Sequence, residues 1–133
     1  MLSIFVCAFN VLFASEKIET LGTIKGKLGY PADEIPAMVV CAEEVTTKKT
    51  SCISTKKDES IFSLSVRPGS YFVFAHLRKA RGGFDTVYRA YYDELVTCGI
   101  KVGCKSHAPV EVKVLPGQVV SNIEPVDWYN HKP

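Results

Sequence analysis

The stretch Ile61–Leu77 (IFSLSVRPGSYFVFAHL) decides the fold of this 133-residue chain. In its first half, Ile61–Val66, apolar side chains alternate with serines, and a period of two is typical of a strand with one buried face. Arg67–Ser70 places Pro before Gly, the order that a type II turn requires. The second half, Tyr71–Leu77, is apolar at nearly every position, which predicts a central strand that is covered on both faces.

The same arrangement recurs towards the carboxyl end. Pro109–Leu115 alternates valines with charged residues, Pro116-Gly117 predicts a turn, and Val119–Ile123 predicts a returning strand. Three earlier segments are also compatible with strands: Thr20–Tyr30, Ala37–Val45 and Thr50–Thr55. We therefore expect two hairpins within about seven strands, an all-β antiparallel sandwich, although a small barrel has the same periodicity.

Composition and motifs limit the function. The chain is 47% hydrophobic and 23% charged, as in one folded domain. Its formal charge of +2 is too small to indicate a nucleic-acid partner. The sequence contains no G-x-S-x-G, no phosphate-binding loop and no HExxH motif. We therefore expect a chain that is not an enzyme and needs no cofactor and no metal.

The amino terminus resembles an export signal. Leu2–Ala14 is almost entirely apolar and uncharged, yet too short to cross a bilayer of about 30 Å as a helix. Small and then charged residues follow it, which predicts a signal peptide over residues 1–15 and a mature domain over 16–133. The prediction is a periplasmic or secreted protein without a stable transmembrane segment; an apolar strand or a short membrane anchor is the alternative.

Removal of the signal would also remove Cys7 and leave an even number of cysteines. Four remain: Cys41, Cys52, Cys98 and Cys104. In an exported domain this number predicts two disulfides, and the spacing favours the local pairs Cys41–Cys52 and Cys98–Cys104. Free thiols remain an alternative, as does a metal site that includes His107. Zinc sites usually carry more closely spaced cysteines than C-x5-C.

The long connection Tyr88–His107 concentrates the side chains that suit recognition. Tyrosine offers apolar area with a polar tip, and arginine stacks on aromatic rings or pairs with carboxylates. The candidate binding residues are Tyr88, Arg89, Tyr91, Tyr92, His107 and Trp128. The alternative is structural: the tyrosines seal the edge of the sandwich, Arg89 pairs with Asp93 or Glu94, and Trp128 packs on the sandwich end. His107 either orients against a carboxylate in a ligand or binding role or is a loop residue that enters the next strand.

Several short motifs occur in an order that resembles a known family. They are G-x-I-x-G-x-L at Gly22–Leu28, the segment Val39–Glu43, and V-x-P-G-S-Y-x-V at Val66–Val73. Together they resemble the carboxypeptidase regulatory-like, or transthyretin-like, β-sandwich domains, in the form of small exported bacterial proteins that carry this domain alone. The resemblance implies a prealbumin-like Greek-key sandwich.

The related hydroxyisourate hydrolases, which use this fold as enzymes, end in Tyr-Arg-Gly-Ser, whereas this chain ends in WYNHKP, residues 128–133. We therefore expect a non-catalytic binding or accessory module that recognises a protein or cell-envelope component through the Tyr88–His107 connection. A small hydrolase of the hydroxyisourate type and a purely structural envelope protein are the alternatives.

Overall fold

A computed structural model describes residues 19–78 and 88–130 of the chain. The predicted signal peptide, residues 1–15, lies outside the described residues, as do 16–18, 79–87 and 131–133. The described part is an all-β sandwich of two sheets, as predicted, with eight strands rather than about seven and one short helix.

The elements follow one another along the chain as β1 Gly22–Lys27, β2 Met38–Glu44, β3 Thr50–Ser54, β4 Ile61–Val66, β5 Gly69–Leu77, β6 Ala90–Tyr91, α1 Glu94–Cys98, β7 Val112–Val114 and β8 Val119–Val120. The first sheet has the order β4-β1-β8. The second has the order β3-β2-β5-β6, and β7 also pairs with β5. Each segment predicted to be a strand contains one, and β6 is an additional strand inside the predicted connection.

The core lies between the two sheets and is built by the alternation that the sequence shows. On β4, Phe62, Leu64 and Val66 are buried while the residues between them are exposed. They meet fully buried side chains of the second sheet, including Val40 and Val73. Strand β5 has neighbours on both sides, so the prediction of a central strand is confirmed.

Both predicted hairpins are wrong. Strand β4 pairs with β1, and β5 pairs with β2, so Arg67–Ser70 carries the chain from one sheet to the other. Pro116-Gly117 makes a second crossing, from β7 on β5 to β8, which runs parallel to β1. The alternation of side chains tells which face of a strand is buried, but it is the same whether the next strand returns beside it or opposite it.

The two glycines of these crossings differ. Gly117 has a positive φ of 70°, whereas Gly69 does not have a positive φ and already belongs to β5. A type II turn needs a positive φ at its third residue, so the type II turn predicted for Arg67–Ser70 is also wrong. The chain enters β5 directly after Pro68.

Both predicted disulfides are confirmed. Cys41 and Cys52 stand opposite each other in the β2–β3 hairpin, with their Cα atoms 4.1 Å apart. Cys98, the last residue of α1, is bonded to Cys104 and closes a short loop. The described residues contain no helix that is long and apolar enough to cross a membrane.

Candidate functional site

Asp93 fixes the start of α1 at the edge of the second sheet. Its backbone is extended (φ −142°), and its Oδ1 accepts the N–H of Val96 at 3.2 Å. Aspartate is among the preferred residues at this position because its oxygen satisfies a backbone donor that the helix leaves unpaired. The side chain of Asp93 is completely buried. A helix cap of this kind is usually exposed, so its burial sets Asp93 apart.

Asp127 reaches the same place from the carboxyl-terminal segment. It stands opposite Tyr91 in an isolated antiparallel bridge and is also completely buried. Its Oδ1 accepts the N–H of Tyr129 at 3.0 Å, and its Oδ2 lies 2.5 Å from Nδ1 of His107. His107 follows the loop that the Cys98–Cys104 bond closes, and 39% of its side chain is exposed. The imidazole therefore connects a buried carboxylate to solvent.

Asp93, His107 and Asp127 together form what we call the carboxylate–histidine cluster. One potential ligand atom from each residue lies within 4.8 Å of the other two. Three segments meet here, because the Tyr91–Asp127 bridge joins the connection to the carboxyl-terminal segment and the Asp93–Pro109 bridge joins it to the residues that follow His107. His107 does orient against a carboxylate, and the structure identifies that carboxylate as Asp127.

The two carboxyls of the cluster have different pKa values. Burial, followed by the hydrogen bond with Asp127, raises the pKa of Asp93 to about 7. Burial acts in the same direction on Asp127, but hydrogen bonds from Asp93, His107 and the Tyr129 backbone outweigh it and lower the pKa of Asp127. The hydrogen bond to Asp127 raises the pKa of His107. The pair therefore keeps one carboxyl protonated and the other charged over much of the acid range.

One oxygen of Asp93 has no donor. Its Oδ2 is buried and meets no donor group among the described residues, so its hydrogen bond with Asp127 requires a proton on one of the two carboxyls. Leaving a carboxylate oxygen buried and unpaired is expensive, so this atom needs either a proton that it shares with Asp127 or a cation. The buried carboxyl pair therefore needs one positive charge, which either a shared proton or a cation can supply.

The predicted binding residues divide into separate groups. Trp128 is only 5% exposed and donates from Nε1 to the carbonyl of Gly29 at 2.7 Å. Tyr30 packs edge-on against it, with ring centroids 5.2 Å apart, and Tyr88 lies over it at 5.8 Å. Tyr88 is 39% exposed. The indole of Trp128 therefore packs against the Tyr88 ring and has little surface exposed to solvent.

Arg89 and Tyr91 lie instead on the outer face of the second sheet. The guanidinium of Arg89 sits 4.2 Å from the centre of the Phe74 ring and donates to the Tyr91 hydroxyl at 3.3 Å. Its carboxylate partner is Glu43, at 3.9 Å, so the alternative pairing with Asp93 or Glu94 is wrong. The reason is the alternation within β6, which directs Arg89 and Tyr91 towards β5 and its outer face.

Tyr92 points the other way and packs against the core. Of the tyrosines in the connection, Tyr88 is exposed and the other two are half-buried, so the candidates Tyr88, Arg89, Tyr91 and Tyr92 do not form one surface. The structure brings Tyr88, Trp128 and His107 towards one end of the sandwich. It places Arg89 and Tyr91 on the outer face.

Sequence reasoning pointed to the right connection but not to its most exposed apolar residues. Ile100 is 46% exposed and Val102 is fully exposed, both in the loop between Cys98 and Cys104. Lys101 lies between them and is exposed as well. We call residues 98–104 the closed loop. The run CGIKVGC, with a glycine next to each cysteine, is the signal that could have identified it.

Sequence reasoning also missed Asp93 and Asp127 as members of a cluster. The sequence suggests Asp93 only as a partner for Arg89, and it gives no sign that Asp127 lies near Asp93. Their contact depends on the bridge between Tyr91 and Asp127, which joins segments that are distant along the chain. No local sequence pattern predicts such a bridge.

Comparison of the chain with family models, with curated proteins and with solved structures finds no match. The resemblance to carboxypeptidase regulatory-like domains therefore rests on its short motifs and stays a prediction.

Proposed function

We propose that this chain is an exported, non-catalytic binding module that recognises a protein partner with the closed loop, residues 98–104. The observation that carries the proposal is the backbone of Ile100, which has a φ of 52°. The left-handed region is unfavourable for any residue with a Cβ, by roughly 1–2 kcal/mol, and is especially rare for a β-branched one.

The conformation of Ile100 follows from how α1 ends. Gly99 has a φ of 96° and donates its N–H to the carbonyl of Val96, and Ile100 donates to the carbonyl of Leu95. These two bonds form the Schellman arrangement, in which glycine commonly takes the left-handed position. A second left-handed residue directly after it would suit Gly or Asn better than Ile. The Schellman arrangement commonly has an apolar residue at the position of Ile100, facing the position of Leu95, but the left-handed backbone itself is not favoured by an isoleucine side chain.

Packing does not account for Val102, the apolar tip of the closed loop. Val102 is fully exposed, and Ile100 is about half exposed. Single exposed apolar side chains are common on protein surfaces. Here, however, two of them share a short loop that the Cys98–Cys104 bond closes. A constrained loop loses little conformational entropy on binding, so its apolar tip is well suited to enter a pocket.

The charged side chains beside the apolar tip indicate which kind of partner surface would complement it. Lys101 and Lys105 are exposed within and just after the closed loop. A partner with an apolar pocket and an acidic rim would complement both the aliphatic tip and these lysines. We therefore propose a protein of the exported or envelope compartment, in which the two disulfides are stable.

A hydrolase is the less favoured function. The His107–Asp127 pair matches the base and orienting group of a hydrolytic site. Within residues 19–78 and 88–130, however, no hydroxyl or thiol is hydrogen-bonded to His107, and the nearby Ser106 hydroxyl accepts the N–H of Ala108. A base without a nucleophile supports binding better than acyl transfer.

The proposal is tested by capture with matched variants. The purified protein, with both disulfides intact, is immobilised and exposed to envelope extract and culture medium of the producing cells. Val102→Ser removes the exposed apolar tip, and Leu115→Ser removes an aliphatic side chain that is 51% exposed at the Pro116-Gly117 turn. We expect a specific protein to be captured by the wild type and by Leu115→Ser, and lost with Val102→Ser.

Capture of the same set of proteins by all three forms would contradict the proposal, as would capture of nothing. Binding of the wild type to vesicles with anionic headgroups, abolished by Val102→Ser, would assign the closed loop to a membrane surface instead.

A further inference from the structure

We propose that the carboxylate–histidine cluster binds a divalent transition-metal ion, of which Zn²⁺ fits the donor set best, through Asp93, His107 and Asp127. Their potential ligand atoms lie within 4.8 Å of one another. With metal–ligand bonds of about 2.0–2.2 Å, two donors on one ion are separated by roughly 3–4.4 Å. The three side chains therefore stand close enough for their donor atoms to reach one ion after small shifts.

The unpaired oxygen of Asp93 is the second observation that points to an ion. Asp93 is completely buried, and its Oδ2 has no donor among the described residues. A second carboxyl, that of Asp127, is buried beside it. A divalent cation would replace the proton that this carboxyl pair holds and would take the unpaired oxygen as a ligand.

The backbone already orients both carboxylates for this role. Oδ1 of Asp93 accepts the N–H of Val96, and Oδ1 of Asp127 accepts the N–H of Tyr129. Each aspartate therefore has one oxygen held by the main chain and keeps Oδ2 for the cluster. Metal-binding carboxylates are commonly fixed by such outer hydrogen bonds, which preserve the ligand geometry.

The donor set decides the class of metal. One imidazole nitrogen with two carboxylate oxygens suits zinc and other first-row divalent ions, whereas calcium prefers six or more oxygens. Three protein ligands would leave a fourth position for water. Nδ1 of His107 and Oδ2 of Asp127 are now 2.5 Å apart, so an ion would replace the proton between them and move them apart by a few tenths of an ångström or more.

Access to the site runs past His107. Its side chain is 39% exposed, while both aspartates are buried, so an ion would reach them through the imidazole side. Because His107 lies three residues after the closed loop, a bound ion would fasten the base of that loop to the sandwich. The metal proposal does not depend on the identity of the protein partner.

The test is zinc titration by calorimetry on the purified chain, after treatment with a chelator that leaves the disulfides intact. We expect one ion per chain with a dissociation constant of micromolar order or tighter. Asp93→Asn and His107→Gln should each weaken binding by about tenfold or more. His76→Gln and Glu94→Gln are matched controls, because they remove an imidazole and a carboxylate that lie outside the cluster, and they should bind like the wild type.

His107→Gln keeps the proposal testable if Asp93→Asn does not fold, because His107 lies on an exposed loop. Cobalt(II) supplies a second readout, since a bound ion with nitrogen and oxygen ligands should give visible absorption bands that His107→Gln removes. Absence of zinc binding at millimolar concentration would overturn the proposal. Binding that is unchanged in His107→Gln would overturn it as well, because the ion would then lie elsewhere on the chain.

Discussion

Buried polar groups differ between two regions of the protein. One region is the set of paired strands β1–β5, and the other, built from residues 88–130, is called the edge. Thr55, next to β3, is buried, and its hydroxyl serves the Met38 main chain twice, accepting the N–H at 3.2 Å and donating to the carbonyl at 3.3 Å. Asp93, at the edge, is buried just as completely but leaves Oδ2 unpaired. The hydroxyl of Thr55 is satisfied by the Met38 main chain, whereas Oδ2 of Asp93 meets no donor group among the described residues.

Backbone conformation shows the same contrast. Lys48 and Asp58, in the turns of the β1–β5 part, have positive φ values of 63° and 64°. Both are exposed polar residues, and Asp tolerates this conformation comparatively well. At the edge, the β-branched Ile100 has a φ of 52°. The β1–β5 part is built for stability, whereas the edge keeps features that lower stability, as functional sites often do.

The largest expected effect comes from breaking the contact between the two regions. A Cβ on Gly26 would stand 1.5 Å from the Ile123 carbonyl oxygen, which is main chain and cannot move aside. We expect Gly26→Ala to unfold the protein or to lower its free energy of unfolding by more than about 4 kcal/mol. Chemical denaturation followed by circular dichroism measures this.

Gly29→Ala is the control for that experiment. A Cβ there would lie 3.4 Å from Val126 Cγ1, a side-chain atom at ordinary contact distance. Its free energy of unfolding should change by no more than about 0.5 kcal/mol. Equal losses from the two variants would show that the close approach of β1 to residue 123 does not hold the regions together.

Removal of either disulfide should lower the stability of the protein, but only removal of Cys98–Cys104 should affect partner binding. Each closes a short loop, so the loop-entropy model gives roughly 2–3 kcal/mol of stability for either bond. Replacing Cys41 and Cys52 by Ala should lower stability and leave partner capture intact. Replacing Cys98 and Cys104 by Ala should lower stability by a similar amount and also abolish capture, because the closed loop loses its constraint. Loss of capture in both double variants would refute the separation.

The buried carboxyl pair predicts a fall in stability as pH rises. The pKa of Asp93 is 3.8 in the unfolded chain and about 7 when folded, so the folded state holds an extra proton between these values. Stability of the metal-free protein should therefore decrease from about pH 4 to pH 7. His107, whose folded pKa is also raised, continues the decrease above 6.5.

Asp93→Asn should flatten the pH dependence between pH 4 and pH 7. The amide stays uncharged at every pH, and asparagine is also a good cap for α1. The variant should match the wild type near pH 5 and exceed its stability at pH 8, as measured by thermal unfolding in the presence of chelator. A variant that is as pH-dependent as the wild type would show that Asp93 does not hold the proton.

The sequence predicted those features that local patterns determine. The period of two located the strands, and the short cysteine spacings identified both disulfides. The pattern could not tell a hairpin from a crossing at Pro68 and Pro116, because the buried face of a strand is the same in both cases. Sheet partners are chosen by packing between segments that are distant in the chain.

The candidate site was less accessible to prediction for the same reason. The sequence suggests a carboxylate partner for His107, but Asp127 is brought to it only by the bridge to Tyr91. The residue types of the tyrosines and Arg89 indicate a binding surface. The alternation of side chains along the extended chain, however, places Tyr91 on the outer face and Tyr92 against the core. The φ of Ile100 has no sequence signature.

Ile100→Asn tests most directly whether the edge is kept for binding at the expense of stability. Asparagine tolerates a left-handed backbone better than isoleucine, so we expect the free energy of unfolding to stay the same or rise by up to about 1 kcal/mol. The same variant should fail to capture the partner protein, because the apolar tip is diminished. A loss of stability of about 1 kcal/mol or more with capture retained would contradict the account and make Ile100 a packing residue.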